Sequence, residues 1–176
     1  MKNSRGMARR SALALACAAL LTGVRPAAAE AQSVTVLTSG GLDSLLQKRG
    51  GRALILNLWA TWCTPCREEF PDLAAVVTEY PDIDAAALSV DYPDEIDAKI
   101  RPFVKEWKLP FPVFVSGFAR QEELINRLAP AWNGGLPATF LFTPEGRRDT
   151  FYVGRQSRGR FQSAFDRARQ LSRRGK

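Results

Sequence analysis

Two cysteines, Cys63 and Cys66, stand either side of Thr64 and Pro65 in the stretch "NLWATWCTPCREEFPDL", residues 57–73. A Cys-x-x-Cys pair can supply half of a zinc site, close an inert staple, or carry electrons by cycling between dithiol and disulfide. Composition separates these chemistries. A structural zinc site wants four ligands, usually Cys or His. The 176-residue chain has no histidine and three cysteines, one of them the distant Cys17. Zinc is excluded, and no metal is expected; a copper carrier using Cys and His together is disfavoured on the same ground. A staple closing so short a loop would gain little loop-closure entropy. It would also sit at the end of an apolar run, where α/β sheets place their functional loops. Redox chemistry is left.

The local sequence suits that chemistry. Pro65 fits the first turn of a helix, where its missing N–H costs nothing. Cys63 is then expected at the exposed helix start, where unpaired N–H groups and the helix dipole stabilise a thiolate. Cys66 lies three residues on, within reach of Cys63 but turned inward. Cys63 is the expected attacking thiol and Cys66 the resolving one.

The elements that must position this pair follow from pattern. "SVTVL" (33–37) alternates like a short strand, and "LDSLLQKRG" reads as a short helix closed by Gly50. "ALILNLWA" (53–60) is a nearly continuous apolar run, the sign of a strand covered on both faces. "PCREEFPDLAAVVTEY" places Phe70, Leu73, Val76, Val77 and Tyr80 at helical spacing, with Pro71 expected to bend it. "DAAALSVD" (84–91) is the next strand. "EIDAKIRPFVKEWKL" is a helix bent or interrupted at Pro102, "FPVFVS" a short strand and "QEELINRLA" a short helix. "ATFLFTPEGRRDTFYVG" reads as a hairpin turning at Pro144-Glu145-Gly146, before a last helix over residues 158–173. The expected class is α/β: a central mixed sheet with helices on both faces.

The ends of the chain bear on its compartment. Residues 1–29 have a basic start, an apolar middle (12–24) and small residues at the exit, the layout of a secretory signal. Cleavage is expected after Ala29 or Ala31, leaving residues 30–176 as one domain. Cys17 would leave with the signal. The apolar run is shorter than the roughly 18 residues a spanning helix wants, and Gly23 and Pro26 interrupt it, so anchoring through residues 12–24 is the less favoured reading. Export places Cys63 and Cys66 where thiols meet oxidants, periplasm or cell envelope. The formal charge of +7 also changes meaning, because residues 1–29 carry five basic residues and no acid, leaving 20 basic against 18 acidic. That balance gives no reason to expect nucleic acid as a partner. From Arg147 onward ten basic residues face only Asp149 and Asp166. This reads as a solvated helix face, with a docking patch for an acidic partner or membrane surface as the alternative.

"NLWATWCTPCREEFPDL" together with the later "GGLPATFLFTPEGR" resembles the thioredoxin superfamily, and most closely its exported TlpA/ResA-like thiol–disulfide oxidoreductases. The likeness covers roughly residues 33–170. It implies a thioredoxin-like fold with the TlpA-type strand-helix insertion, here "SVDYPDEIDAKIRPFVKEWKLPFPVFVSG". It implies that Pro137, after Leu136, is cis and faces the cysteines, keeping a backbone edge open to substrate. It implies that Trp62 lines the substrate surface and that Glu69, three residues after Cys66, is half buried and exchanges protons with Cys66. Asn57 stands where cytoplasmic thioredoxins have a buried aspartate. Trp59 is expected in the core and Glu68 at the surface; a place near the site for Asp91 and Tyr92, at the end of the strand in that insertion, is the less favoured reading. No cofactor is implied. The expected clients are disulfides of apocytochrome c or of metallochaperones, with a membrane electron donor of the cytochrome-maturation type keeping the protein reduced. Thr64-Pro65 holds no histidine to stabilise the thiolate, which favours a reductase. A disulfide oxidase or isomerase, or a binding module that does not turn over, are the alternatives.

Overall fold

A computed structural model describes residues 33–174; the expected signal, its cleavage sites and Cys17 lie outside them. The strands are β1 (Val34–Leu37), β2 (Leu54–Trp59), β3 (Asp84–Ser89), β4 (Val113–Ser116), β5 (Ala138–Phe142) and β6 (Arg148–Val153). The helices are α1 (Ser39–Gln47), α2 (Thr64–Glu79), α3 (Arg101–Trp107), α4 (Gln121–Leu128) and α5 (Arg158–Arg174). One six-stranded sheet runs in the order β1-β4-β3-β2-β5-β6. The first four of these are mutually parallel, while β5 runs antiparallel to β2 and β6 antiparallel to β5.

The apolar run of β2 has its reason in this order. β2 lies between β3 and β5, and all six of its residues are buried. Ile55 and Trp59 face the helices α2, α3 and α5, in one core layer with Phe70, Leu73, Val104, Phe161 and Phe165. Leu54, Leu56 and Leu58 face α1 and α4, in the other layer with Leu42, Leu124, Leu128, Trp132 and Phe140. A strand apolar on both faces is what a doubly covered sheet requires.

Two stretches differ most from the pattern reading. α1 starts earlier and ends before Gly50, because Thr38 caps it: its hydroxyl accepts from the Gly41 N–H at 3.2 Å. The segment before Pro102 is not α-helix. A 3-10 turn (Pro93–Glu95) and a π-helical turn (Ile96–Ile100) precede α3. Pro102 lacks an N–H and crowds the carbonyl four residues back, so regular α geometry begins only where proline falls in the first turn. Pro71, by contrast, sits inside α2, which continues through it. The hairpin turns where expected, and Gly146 has φ +77. A Cβ there would overlap the Leu46 carbonyl of α1, so the turn needs glycine for conformation and for space.

Candidate active site

Cys63 and Cys66 form a disulfide with 5.3 Å between their Cα atoms. Both hang from the junction of β2 and α2. A turn follows the strand, closed by the Cys63 N–H donating to the Ala60 carbonyl at 3.1 Å. Cys63 then caps α2, its Sγ accepting from the Cys66 N–H at 3.3 Å, with proline in the first turn. This is the expected placement, with one correction. Cys63 was expected exposed, but in the disulfide form it keeps only 5% exposure, against 0% for Cys66. Trp59, Phe70 and Phe103 wall the inner side, with the Trp59 ring 5.0 Å from Phe70 and 4.7 Å from Phe103. Trp62, next to Cys63, is 68% exposed.

Pro137 reaches the same end of the sheet from β5. The antiparallel register pairs Leu58 with Ala138, so the chain before β5 emerges beside the end of β2 that leads to the cysteines. The Leu136–Pro137 peptide is cis, as the resemblance implied. Leu136 is partly buried and packs against both core layers, including the one that holds the cysteines. The Pro137 carbonyl accepts from the Gly154 N–H at 2.8 Å.

Glu69 lies one turn along α2 from Cys66 and is wholly buried, more deeply than expected. One carboxyl oxygen accepts from Asn57 Nδ2 and the other from the Gln156 backbone N–H, each at 2.8 Å. Burial pushes its pKa up to about 7; the bonds from Gln156 and Asn57 and the charge of Arg155 pull it partly back. Near neutral pH the group therefore divides between acid and carboxylate. Asn57 also donates to Thr139 Oγ1 at 3.1 Å, while its Oδ1 is without a partner among the described residues. Rotating that amide by half a turn would present Oδ1 to a protonated Glu69, so the residue can serve either ionisation state. Glu68 points elsewhere, half exposed and paired with Arg155 at 3.1 Å.

Of the remaining candidates, Tyr92 is 74% exposed. Asp91 is buried and bonded to Thr61, two residues before Cys63. Sequence reasoning missed Gln156 and Thr139 as neighbours of the Glu69 network. Gln156 acts through its backbone N–H, so its residue type carries no signal.

A sheet with this strand order, a Cys-x-x-Cys at a helix start and a cis-proline loop at the same sheet end define a thioredoxin-fold redox protein. Residues 28–147 match the AhpC/TSA family, and the chain belongs to it. Among curated relatives, the thioredoxin-like protein YneN of Bacillus subtilis (strain 168) is 25% identical over 140 residues, covering 78% of this chain and 77% of the relative. The thiol-disulfide oxidoreductase ResA of Bacillus anthracis is 28% identical over 129 residues, covering 73% and 70%. A thiol:disulfide interchange protein of the thioredoxin family from Chlorobium tepidum TLS superposes with a TM-score of 0.57 at 25% identity, over 72% of this chain and 83% of that one. The protein is a thiol–disulfide oxidoreductase of the ResA/TlpA type. No helix among the described residues is long and apolar enough to cross a membrane.

Proposed function

We propose that the protein is exported by its N-terminal segment and reduces disulfides of client proteins in the cell envelope. The Cys63 thiolate attacks one sulfur of a client disulfide, forming a mixed disulfide and releasing the other client sulfur as a thiolate. Cys66 then gives its proton to the Glu69 carboxylate and attacks the Cys63 sulfur. The second client sulfur leaves, and the two electrons of the dithiol have passed to the client. Trp62, Leu136 and Pro137 form the surface that receives the client backbone. A membrane electron donor returns the disulfide to the dithiol. Cysteines of apocytochrome c or of metallochaperones are the client class that the resemblance favours.

The observation that carries this reading is the buried carboxyl of Glu69, its pKa raised to about 7 one helical turn beyond the inward cysteine. A group poised at the working pH can take the proton of a resolving thiol and return it on the reverse step. The reducing direction rests on Thr64-Pro65, which adds neither imidazole nor positive charge beside Cys63. Equilibration with glutathione is expected to give a potential well below the roughly −120 mV of a strong oxidase. A value near that level would assign the protein to disulfide formation instead. Turnover in dithiothreitol-driven insulin reduction is the companion test, and its absence would favour a binding module.

A further inference from the structure

Beneath the turn that delivers Cys63 lies a buried carboxylate for which the proposed chemistry has no role. Asp91 follows β3 and is 3% exposed. Its Oδ2 accepts from the Thr61 N–H at 2.8 Å, and its Oδ1 from the Thr61 hydroxyl at 2.7 Å. The Ser89 hydroxyl donates to Oδ2 as well, and Ser89 Oγ accepts from the Asp91 N–H at 3.0 Å. No Lys or Arg among the described residues stands at ion-pair distance from it; Lys99, whose charge feels Asp91, pairs with Glu95. A buried charge without a counter-ion is costly unless donors surround it. Three donors meet this one, two of them from a single residue.

The position of that residue gives the arrangement its meaning. The β2–β3 ladder continues past the strand ends with the Val90 N–H donating to the Trp59 carbonyl at 2.9 Å. The Asp91 side chain then takes over from the backbone and holds the next stretch of chain. Thr61 is the second residue of the four-residue turn closed by Cys63 N–H and the Ala60 carbonyl. Trp62 is the third and points to solvent. The fourth, Cys63, caps α2 with its sulfur on the Cys66 N–H. Between the end of the sheet and the helix cap, Ala60 is buried in the core and Thr61 is held by the Asp91 carboxylate.

We propose that Asp91 is a positioning residue for the redox site: by clasping Thr61 through both carboxylate oxygens it fixes the turn that sets Cys63 on the N-terminus of α2. The proposal rests on Cys63 being the attacking thiol. Loosening the clasp frees the turn, weakens the capping contact to the Cys63 sulfur, and leaves the thiolate less stabilised.

The test is the rate of iodoacetamide modification of the fully reduced protein, with sites assigned by mass spectrometry, beside thermal unfolding and the glutathione equilibrium. Asp91→Ala is expected to slow Cys63 alkylation about tenfold, on the order of one charge-assisted hydrogen bond. Thr61→Val, which removes only the hydroxyl, is expected to slow it about threefold, and Thr61→Ser to restore the parent rate. The Asp91→Ala/Thr61→Val double variant should be no slower than Asp91→Ala alone, and the glutathione equilibrium of the slowed variants should move toward the disulfide. A parent-like rate in a folded Asp91→Ala protein overturns the proposal. So does a faster rate, because the carboxylate would then act as a bare charge. A double variant slowed by the product of the two single effects also overturns it. Should Asp91→Ala not fold, the Thr61→Val and Thr61→Ser pair decides alone, and equal rates overturn the proposal. Modification of the parent at Cys66 first would overturn this proposal and the assignment of the attacking thiol together. Modification at Cys63 with no difference among the variants overturns the positioning role only.

Discussion

At the scale of single residues, the two cysteines are chemically alike and made unequal by their place. Cys63 holds the helix cap and Cys66 is walled by Trp59 and Phe70 in the core. Cys66→Ala is therefore expected to keep an attacking thiolate without its resolving partner, so mixed disulfides with clients persist on non-reducing gels. Cys63→Ala should abolish both client capture and insulin reduction; adducts accumulating there instead would reverse the two roles. Glu69 adds a titration to the same site. With its pKa raised to about 7 by burial, Glu69→Gln should remove one ionisation from the pH–rate profile between about pH 6 and 8. It should also shift the Cys66 titration. If the two profiles overlay those of the parent, Glu69 is only a buried structural acid.

At the scale of elements, the site depends on how β2, β5 and the β6–α5 turn are held together. β2 ends at the cysteine turn, β5 begins after Pro137, and the turn after β6 supplies the Gln156 N–H to Glu69 and the Gly154 N–H to the Pro137 carbonyl. The β5–β6 hairpin thus ties the cis-proline loop to the Glu69 carboxyl. Its far end passes close against the Leu46 carbonyl of α1 at Gly146. Gly146→Ala is expected to destabilise the fold by about 1–3 kcal/mol, from positive φ and overlap with the Leu46 carbonyl. Denaturant unfolding should show that loss, while the Cys63 alkylation rate of the folded fraction stays unchanged, since the turn lies at the opposite end of the strands.

For the molecule as a whole, Glu69 makes stability depend on pH in a direction opposite to most acids. Its folded pKa lies above its ordinary value of 4.5, so the unfolded chain releases the proton first. The contribution is fully favourable below about pH 4.5 and is lost as pH rises through about 7, a change of about 3 kcal/mol. Urea unfolding of the oxidised protein at pH 5 and pH 8 should show this loss, and Glu69→Gln should lack it. Exposed acids such as Glu79, Glu95 and Glu145 have lowered pKa values and pull the other way. Solvent screening keeps their share small, and they are common to both proteins. The basic C-terminal segment turns much of its charge on the chain itself. Arg155 pairs with Glu68, Arg158 with Glu79, Arg167 with Asp149 and Arg169 with Asp82. Arg160 lies over the Tyr152 ring at 4.4 Å. That favours the solvated face over the docking patch.

The sequence by itself determined those features whose causes lie within a few residues of chain. The redox reading came from two cysteines at helical spacing and a chain without histidine. The doubly covered β2 came from its nearly continuous apolar run, and the hairpin from Pro144-Glu145-Gly146. The cis Leu136–Pro137 peptide and the raised pKa of Glu69 were legible only through resemblance to a family, because no local pattern specifies either. What tertiary structure alone decided depends on segments brought together from far along the chain. Glu69 lies fully buried because Asn57 of β2 and the backbone of Gln156 complete its hydrogen bonds, across 12 and 87 residues of sequence. Asp91 grips Thr61 across 30 residues because β2 and β3 run parallel and end together. Cys63 is less exposed than its place at a helix start suggests, because exposure is set by the surrounding packing and the disulfide. Periodicity and propensity act over one or two turns, whereas the environment of a carboxyl or a thiol is the sum of every segment packed against it.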